Sequence, residues 1–172
     1  RFPGTQFCLE EEALELNKTD FGYELVTSKQ THYAKTVIIA CGNGAFHPRK
    51  LDVENAEAYE NSNLHYFVTN LERFRDRTVA ICGGGDSAVD WALALEPIAK
   101  KVTIVHRRPQ FRAQEHSVKQ LEESSVDILT PYLPNQIIGD GETIQSVVLK
   151  HAKGEDQIEL PVDDFIVNYG FS

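Results

Sequence analysis

The chain has no methionine, one tryptophan and only three cysteines in 172 residues. Cys8, Cys41 and Cys82 are odd in number, far apart and without C-x-x-C spacing. That excludes a disulfide framework and a cysteine-knuckle zinc site, and it fits a reducing compartment. His32, His47, His65, His116 and His151 likewise show no metal-ligand spacing, so no metal is expected. No apolar run approaches the roughly 20 residues of a membrane span, and no signal peptide is recognisable. A cytoplasmic protein without membrane partners is the expectation. Positive charge is scarce too: 17 Lys and Arg stand against 26 Asp and Glu, a formal charge of −9. Such a surface disfavours nucleic acid. Without an initiator, and with "RFPGTQF" and "DFIVNYGFS" at its limits, the sequence is expected to be an internal piece of a longer protein.

What is present begins as β-structure. Residues 6–39 carry alternating and β-branched segments, with turns at Asp20-Phe21-Gly22 and Ser28–Thr31. "LEEEALE" reads as a solvated strand edge, and "TVIIA" (36–40) as a buried strand halted by glycines. Residues 48–63 are polar, contain Pro48 and predict a linker.

From Thr78 the grammar changes. "TVAIC" predicts a strand. "DSAVDWALALEPIAK" places apolar residues at 88, 89, 92, 93 and 95, a helical face that Pro97 should end. "KVTIV" (101–105) is the next strand and "EHSVKQLEES" the next helix. A further strand, a hairpin around Gly139-Asp140-Gly141 and a closing strand in "DQIELPVDDFIVNYG" follow. This β-α-β-α-β unit with a β-meander predicts an α/β, Rossmann-like dinucleotide-binding domain. Cys41 and Cys82, at strand ends, are expected to be small buried hydrophobes, and Trp91 to pack.

Between strand and helix stands Gly83-Gly84-Gly85-Asp86-Ser87-Ala88, a G-x-G-x-x-A turn. The chemistry needs small residues there. Gly83 permits the tight turn, Gly85 lets the backbone approach a pyrophosphate, and Ala88 lets the helix pack on the strand. The helix N-terminus would hold the diphosphate, with Asp86 or Ser87 as its cap. At the end of the next strand, where an acid would select NAD, the sequence reads "HRRPQFR". His106 lies 23 residues after Gly83 and is followed by Arg107, Arg108 and Arg112. Guanidinium groups bind a phosphate dianion through paired charge-assisted hydrogen bonds. NADPH is therefore the expected cofactor.

"VAICGGGDSAVDWALAL" with "VTIVHRRPQFRA" resembles the NADPH-binding domain of thioredoxin-reductase-like flavoproteins. "TVIIACGNGAFHPRKL" (36–51) and "DDFIVNYGFS" (163–172) look like that family's two crossovers between its FAD and NADPH domains. One departure matters: the place where the family carries its redox C-x-x-C reads "LHYFVTNLERFRDRTVAI" (64–81), without a cysteine. A disulfide cannot be reduced there without two thiols. The pattern is instead similar to the ferredoxin–NADP reductases of thioredoxin-reductase type. The resemblance implies that residues 1–47 are a β-rich fragment of an FAD-binding domain, 48–63 the crossover and 64–172 the NADPH-binding domain. It implies NADPH and, in the full-length protein, FAD as cofactors, with ferredoxin or flavodoxin as electron partner. The fragment alone is expected to be inactive, and a homodimer is left open. The resemblance assigns Gly83–Ala88 to the pyrophosphate and His106, Arg107, Arg108 and Arg112 to the 2′-phosphate. Tyr66 and Phe67 would lie near the flavin, and glycines in the crossovers (Gly42, Gly44, Gly170) would act as hinges. Two other readings stay open: reduction of a disulfide substrate through thiols elsewhere, and a non-catalytic NADP-sensing module.

Overall fold

The computed structural model describes residues 4–41, 47–60 and 62–170. The chain forms two compact units, Arg1–Gly44 and Ala45–Ser172. The first is an antiparallel meander of β1 (Ala13–Thr19), β2 (Gly22–Thr27) and β3 (Thr31–Ala34), in that order. Its turns fall where the sequence places them, and β1 is exposed along its whole length, as a solvated edge should be. At Gly22 (φ +144°) a Cβ would stand 2.4 Å from the Ala34 carbonyl oxygen, so only glycine fits.

The predicted strand over 36–40 does not form. No described strand pairs with it, and Ile38 and Ile39 lie exposed at 87% and 73%. A doubly buried strand exists only between neighbours that take up its backbone groups. Cys41, expected to be buried, is consequently exposed. Gly42 and Gly44 lie outside the described residues.

In the second unit, five parallel strands form a sheet ordered β4 (Leu64–His65), β11 (Asp164–Asn168), β5 (Thr78–Gly83), β6 (Lys101–Val105) and β7 (Asp127–Leu129). Helices α1 (Asp86–Leu95) and α2 (Glu115–Glu123) cover one face. An antiparallel meander of β8 (Tyr132–Gly139), β9 (Ile144–His151) and β10 (Gln157–Pro161) covers the other. Period-two alternation sorts the side chains between the layers. Val79 and Ile81 of β5, Ile104 of β6 and Ile166 of β11 meet the helices; Ala80, Cys82, Val105, Phe165 and Val167 meet the meander. α1 ends at Leu95, two residues before Pro97, and Trp91 packs against the helical layer as expected.

Two expectations change. The closing "DQIELPVDDFIVNYG" is two strands, because Asp163 turns the chain: its carboxylate accepts from the Thr78 amide at 2.8 Å, while its own amide donates to the Thr78 carbonyl at 2.8 Å. β10 stays on the meander and β11 enters the parallel sheet. The predicted linker is anchored rather than free at its described residues: Leu51, Ala56 and Tyr59 join the core, and the Tyr66 hydroxyl accepts from the Leu51 amide at 3.1 Å.

Candidate functional site

The carboxyl ends of β11, β5 and β6 form one edge of the sheet. From β5 the chain leaves through α1 toward β6, whereas β11, on the other side of β5, arrives from the meander. The glycine turn thus sits where the winding reverses, the place at which open α/β sheets bind ligands.

Each small residue there answers to a different neighbour. A Cβ on Gly83 would lie 2.5 Å from the Asn168 carbonyl oxygen and 2.9 Å from the Ala88 Cβ, and Ala88 is fully buried. A Cβ on Gly84 would fall 2.2 Å from the imidazole of His106. Beside Gly85 nothing stands within 4 Å of a Cβ position. Two glycines are therefore filled in by the protein and the third faces open space, the surface a pyrophosphate would need. Gly85 (φ −98°) is also the N-cap of α1, and no side chain caps the helix. The Asp86 and Ser87 amides have no intrahelical acceptors, so they and the dipole are available to an anion, whereas the Ala88 amide already donates to the Gly85 carbonyl at 3.1 Å.

Asp86 and Ser87 accordingly do not cap. Asp86 instead accepts the Gln114 amide at 2.8 Å, and the Arg112 amide donates to the Gly84 carbonyl at 2.6 Å. With the His106 ring lying on Gly84, these contacts bind segment 106–114 onto the glycine turn. The structure thus brings the two predicted segments together. Phe111 stacks on His106 with ring centroids 5.4 Å apart and planes at 24°. Burial, and then the charges of Arg107, Arg108 and Arg112, push the His106 imidazole below its ordinary pKa, so it is neutral at pH 7. Its Nε2 is buried without a hydrogen-bond partner, as is Nδ2 of Asn168 at the end of β11. Arg107, Arg108 and Arg112 are exposed and form no ion pair with any described residue. Three uncommitted guanidiniums, two orphaned polar atoms and an open glycine face fit a phosphorylated dinucleotide.

A second concavity, about 500 Å³, lies near the amino ends of β5 and β11 and is lined in part by Asn63, Arg73, Arg77, Thr143, Gln145 and Asp163. It is the poorer phosphate site. Arg73 already donates to the Ser62 carbonyl, and Arg77 to the Asp163 carbonyl and the Asp164 carboxylate.

The family model for pyridine nucleotide-disulphide oxidoreductases matches residues 5–171. The chain belongs to that family. Ferredoxin–NADP reductase 2 of Bacillus subtilis is 58% identical over 165 residues, 95% of this chain and 49% of the relative. Ferredoxin–NADP reductase of Enterococcus faecalis is 54% identical over 96% of this chain and 49% of the relative. Among solved structures, Lactococcus lactis thioredoxin reductase superposes with a TM-score of 0.73 at 31% identity, over 91% of this chain and 52% of that one. The chain spans about half the length of the curated relatives it matches.

Asn168, Phe111 and Gln114 went unrecognised in the sequence. The first is placed by a strand pairing across more than eighty residues, and the other two by a loop fold with no motif of its own. Cys82, by contrast, is a packed hydrophobe as expected. Burial pushes its thiol up to about 12, and its Sγ lies 3.2 Å from the Tyr169 hydroxyl.

Proposed function

We propose that this chain carries the NADPH-binding module of a flavin-dependent oxidoreductase, and that the longer protein moves electrons between NADPH and ferredoxin or flavodoxin through FAD. The observation that carries the reading is the open face of Gly85 beside three unpaired arginines at the end of β6. Bound there, NADPH would supply a hydride that a flavin held by the longer protein would pass on as single electrons. Residues of this chain do the holding. Gly83–Ala88 and the first turn of α1 receive the pyrophosphate; Arg107, Arg108 and Arg112 receive the 2′-phosphate; neutral His106, wedged between Gly84 and Phe111, keeps the arginine segment against the turn. Within the longer protein, residues 1–47 belong to the FAD-binding domain, 48–63 to the crossover and 64–172 to the NADPH-binding domain. The relatives named ferredoxin–NADP reductase support this partner choice. So does the chemistry of residues 64–81, which hold no thiol, while Cys82 is too deeply buried to form a thiolate at neutral pH.

Calorimetric titration of the chain with NADPH and NADH tests the reading. NADPH should bind more tightly, and Arg107→Ala with Arg108→Ala should remove most of the preference, each charged hydrogen bond contributing on the order of 1.5–3 kcal/mol. Equal affinities in the unsubstituted chain overturn it.

A further inference from the structure

The first unit, apart from the glycine turn and its arginines, brings together three side chains of metal-binding chemistry. Cys8, Glu11 and His32 offer one donor atom each, and all three atoms lie within 4.8 Å of one another. We propose that they form a binding site for one divalent cation of zinc type, with the fourth position left to solvent or an exogenous ligand.

The spacing escapes a cysteine search because one knuckle ligand is a carboxylate. Cys8 and Glu11 are three apart across a turn whose third residue, Glu10, is left-handed at φ +56°. His32 comes from β3, on the far side of the sheet from β1. The turn is fixed before any ion arrives. The Glu12 amide donates to Ser28 Oγ at 3.0 Å, the Ser28 amide to the Glu12 carbonyl at 2.8 Å, and Lys29 Nζ to the Leu9 carbonyl at 3.2 Å.

The Glu11 carboxylate is the anchor, with its side chain only 5% exposed. It accepts from the Thr27 hydroxyl at 2.5 Å and lies 2.8 Å from His32 Nε2. Cys8 is exposed and free, which gives the ion a path in.

Bond lengths of about 2.0–2.3 Å to a tetrahedral zinc put its donors roughly 3.5 Å apart, so a small inward movement of Cys8 closes the set. On binding, Cys8 gives up its thiol proton to solvent, and the His32 proton moves from Nε2 to Nδ1. Thiolate and carboxylate then balance the two positive charges of the ion. Thiolate, imidazole and carboxylate together favour zinc over magnesium or calcium, which prefer oxygen alone.

Anaerobic titration of the 172-residue chain with Co2+ provides the test. The expected result is one Co2+ per chain, a near-ultraviolet thiolate-to-cobalt charge-transfer band, and displacement by Zn2+. Cys8→Ser should abolish the band and His32→Gln should weaken binding at least about tenfold, whereas Cys41→Ser should change neither. Alkylation of the unsubstituted chain, followed by mass spectrometry, avoids any folding defect in the variants. Zinc should slow modification of Cys8 about tenfold or more, and leave Cys41 unaffected. Absence of the charge-transfer band, its survival in Cys8→Ser, its loss in Cys41→Ser, or equal alkylation of Cys8 with and without zinc overturns the proposal.

Discussion

The two ends of the parallel sheet use the same residue types to opposite effect. At the amino edge, Asp164 is wholly buried and accepts from Arg77, with His65 Nε2 2.7 Å from its other oxygen; Asn63 bonds the Ile144 amide and carbonyl and the Asp163 carbonyl, at 2.8–2.9 Å. At the carboxyl edge, arginines, a histidine and an asparagine recur, but the guanidiniums are unpaired and His106 and Asn168 each keep a buried nitrogen without a partner. Buried polar groups are normally satisfied, so an edge that closes its own bonds is holding the fold, and one that leaves them open is the candidate for a ligand. Charge alone does not distinguish the two. Commitment does.

The largest expected effect comes from breaking the closed edge. Asp164→Ala leaves Arg77 and His65 without their shared acceptor and should destabilise the second unit by about 3 kcal/mol, read as a lowered urea midpoint. A shift below about 1 kcal/mol would show that the amino edge is ornamental.

Gly83→Ala should come next, costing about 2 kcal/mol, because the new methyl meets a backbone carbonyl on β11 that cannot turn aside. Gly85→Ala sharpens the contrast two residues away. With open space around it and φ at −98°, the variant should unfold at the unsubstituted midpoint and yet lose NADPH affinity about tenfold, roughly 1.4 kcal/mol. If both variants bind NADPH equally well, the glycines are structural only.

The smallest effect concerns acid. The folded His106 has a lowered pKa, so the unfolded chain takes up its proton first. Stability is fully present above the ordinary value of about 6.5 and erodes as pH falls below it toward the folded pKa. Urea midpoints between pH 7 and 5 should fall in the parent chain and flatten in His106→Gln.

Local chemistry was legible in the sequence. The strand, turn and helix around Gly83–Ala88 follow from small residues between two periodic segments, and the arginines stand out against an acidic chain. Pairing across distance was not. Nothing near Asp86 says that it will accept the Gln114 amide rather than cap its own helix. "TVIIA" has strand composition but no partner among the described residues. Asp164 looks like one acid among 26 until β11 settles beside β5, and Glu11 looks like part of an acidic run until β3 brings up His32.

The position of β11 has a consequence in time. It is the last strand of the unit in sequence, but it lies inside the sheet, between β4 and β5. Until it arrives, β5 presents a full row of unpaired backbone groups, and β4, only two residues long, has no neighbour. The bonds of Asn63 to Ile144 and Asp163 span 81 and 100 residues, so they too wait for the chain to return. A ribosome making this protein must therefore expose an apolar, half-paired sheet through some eighty residues of synthesis, from β5 until Asn168 emerges. Over that interval the meander, complete in sequence before β11, is the element placed to fold over the open face.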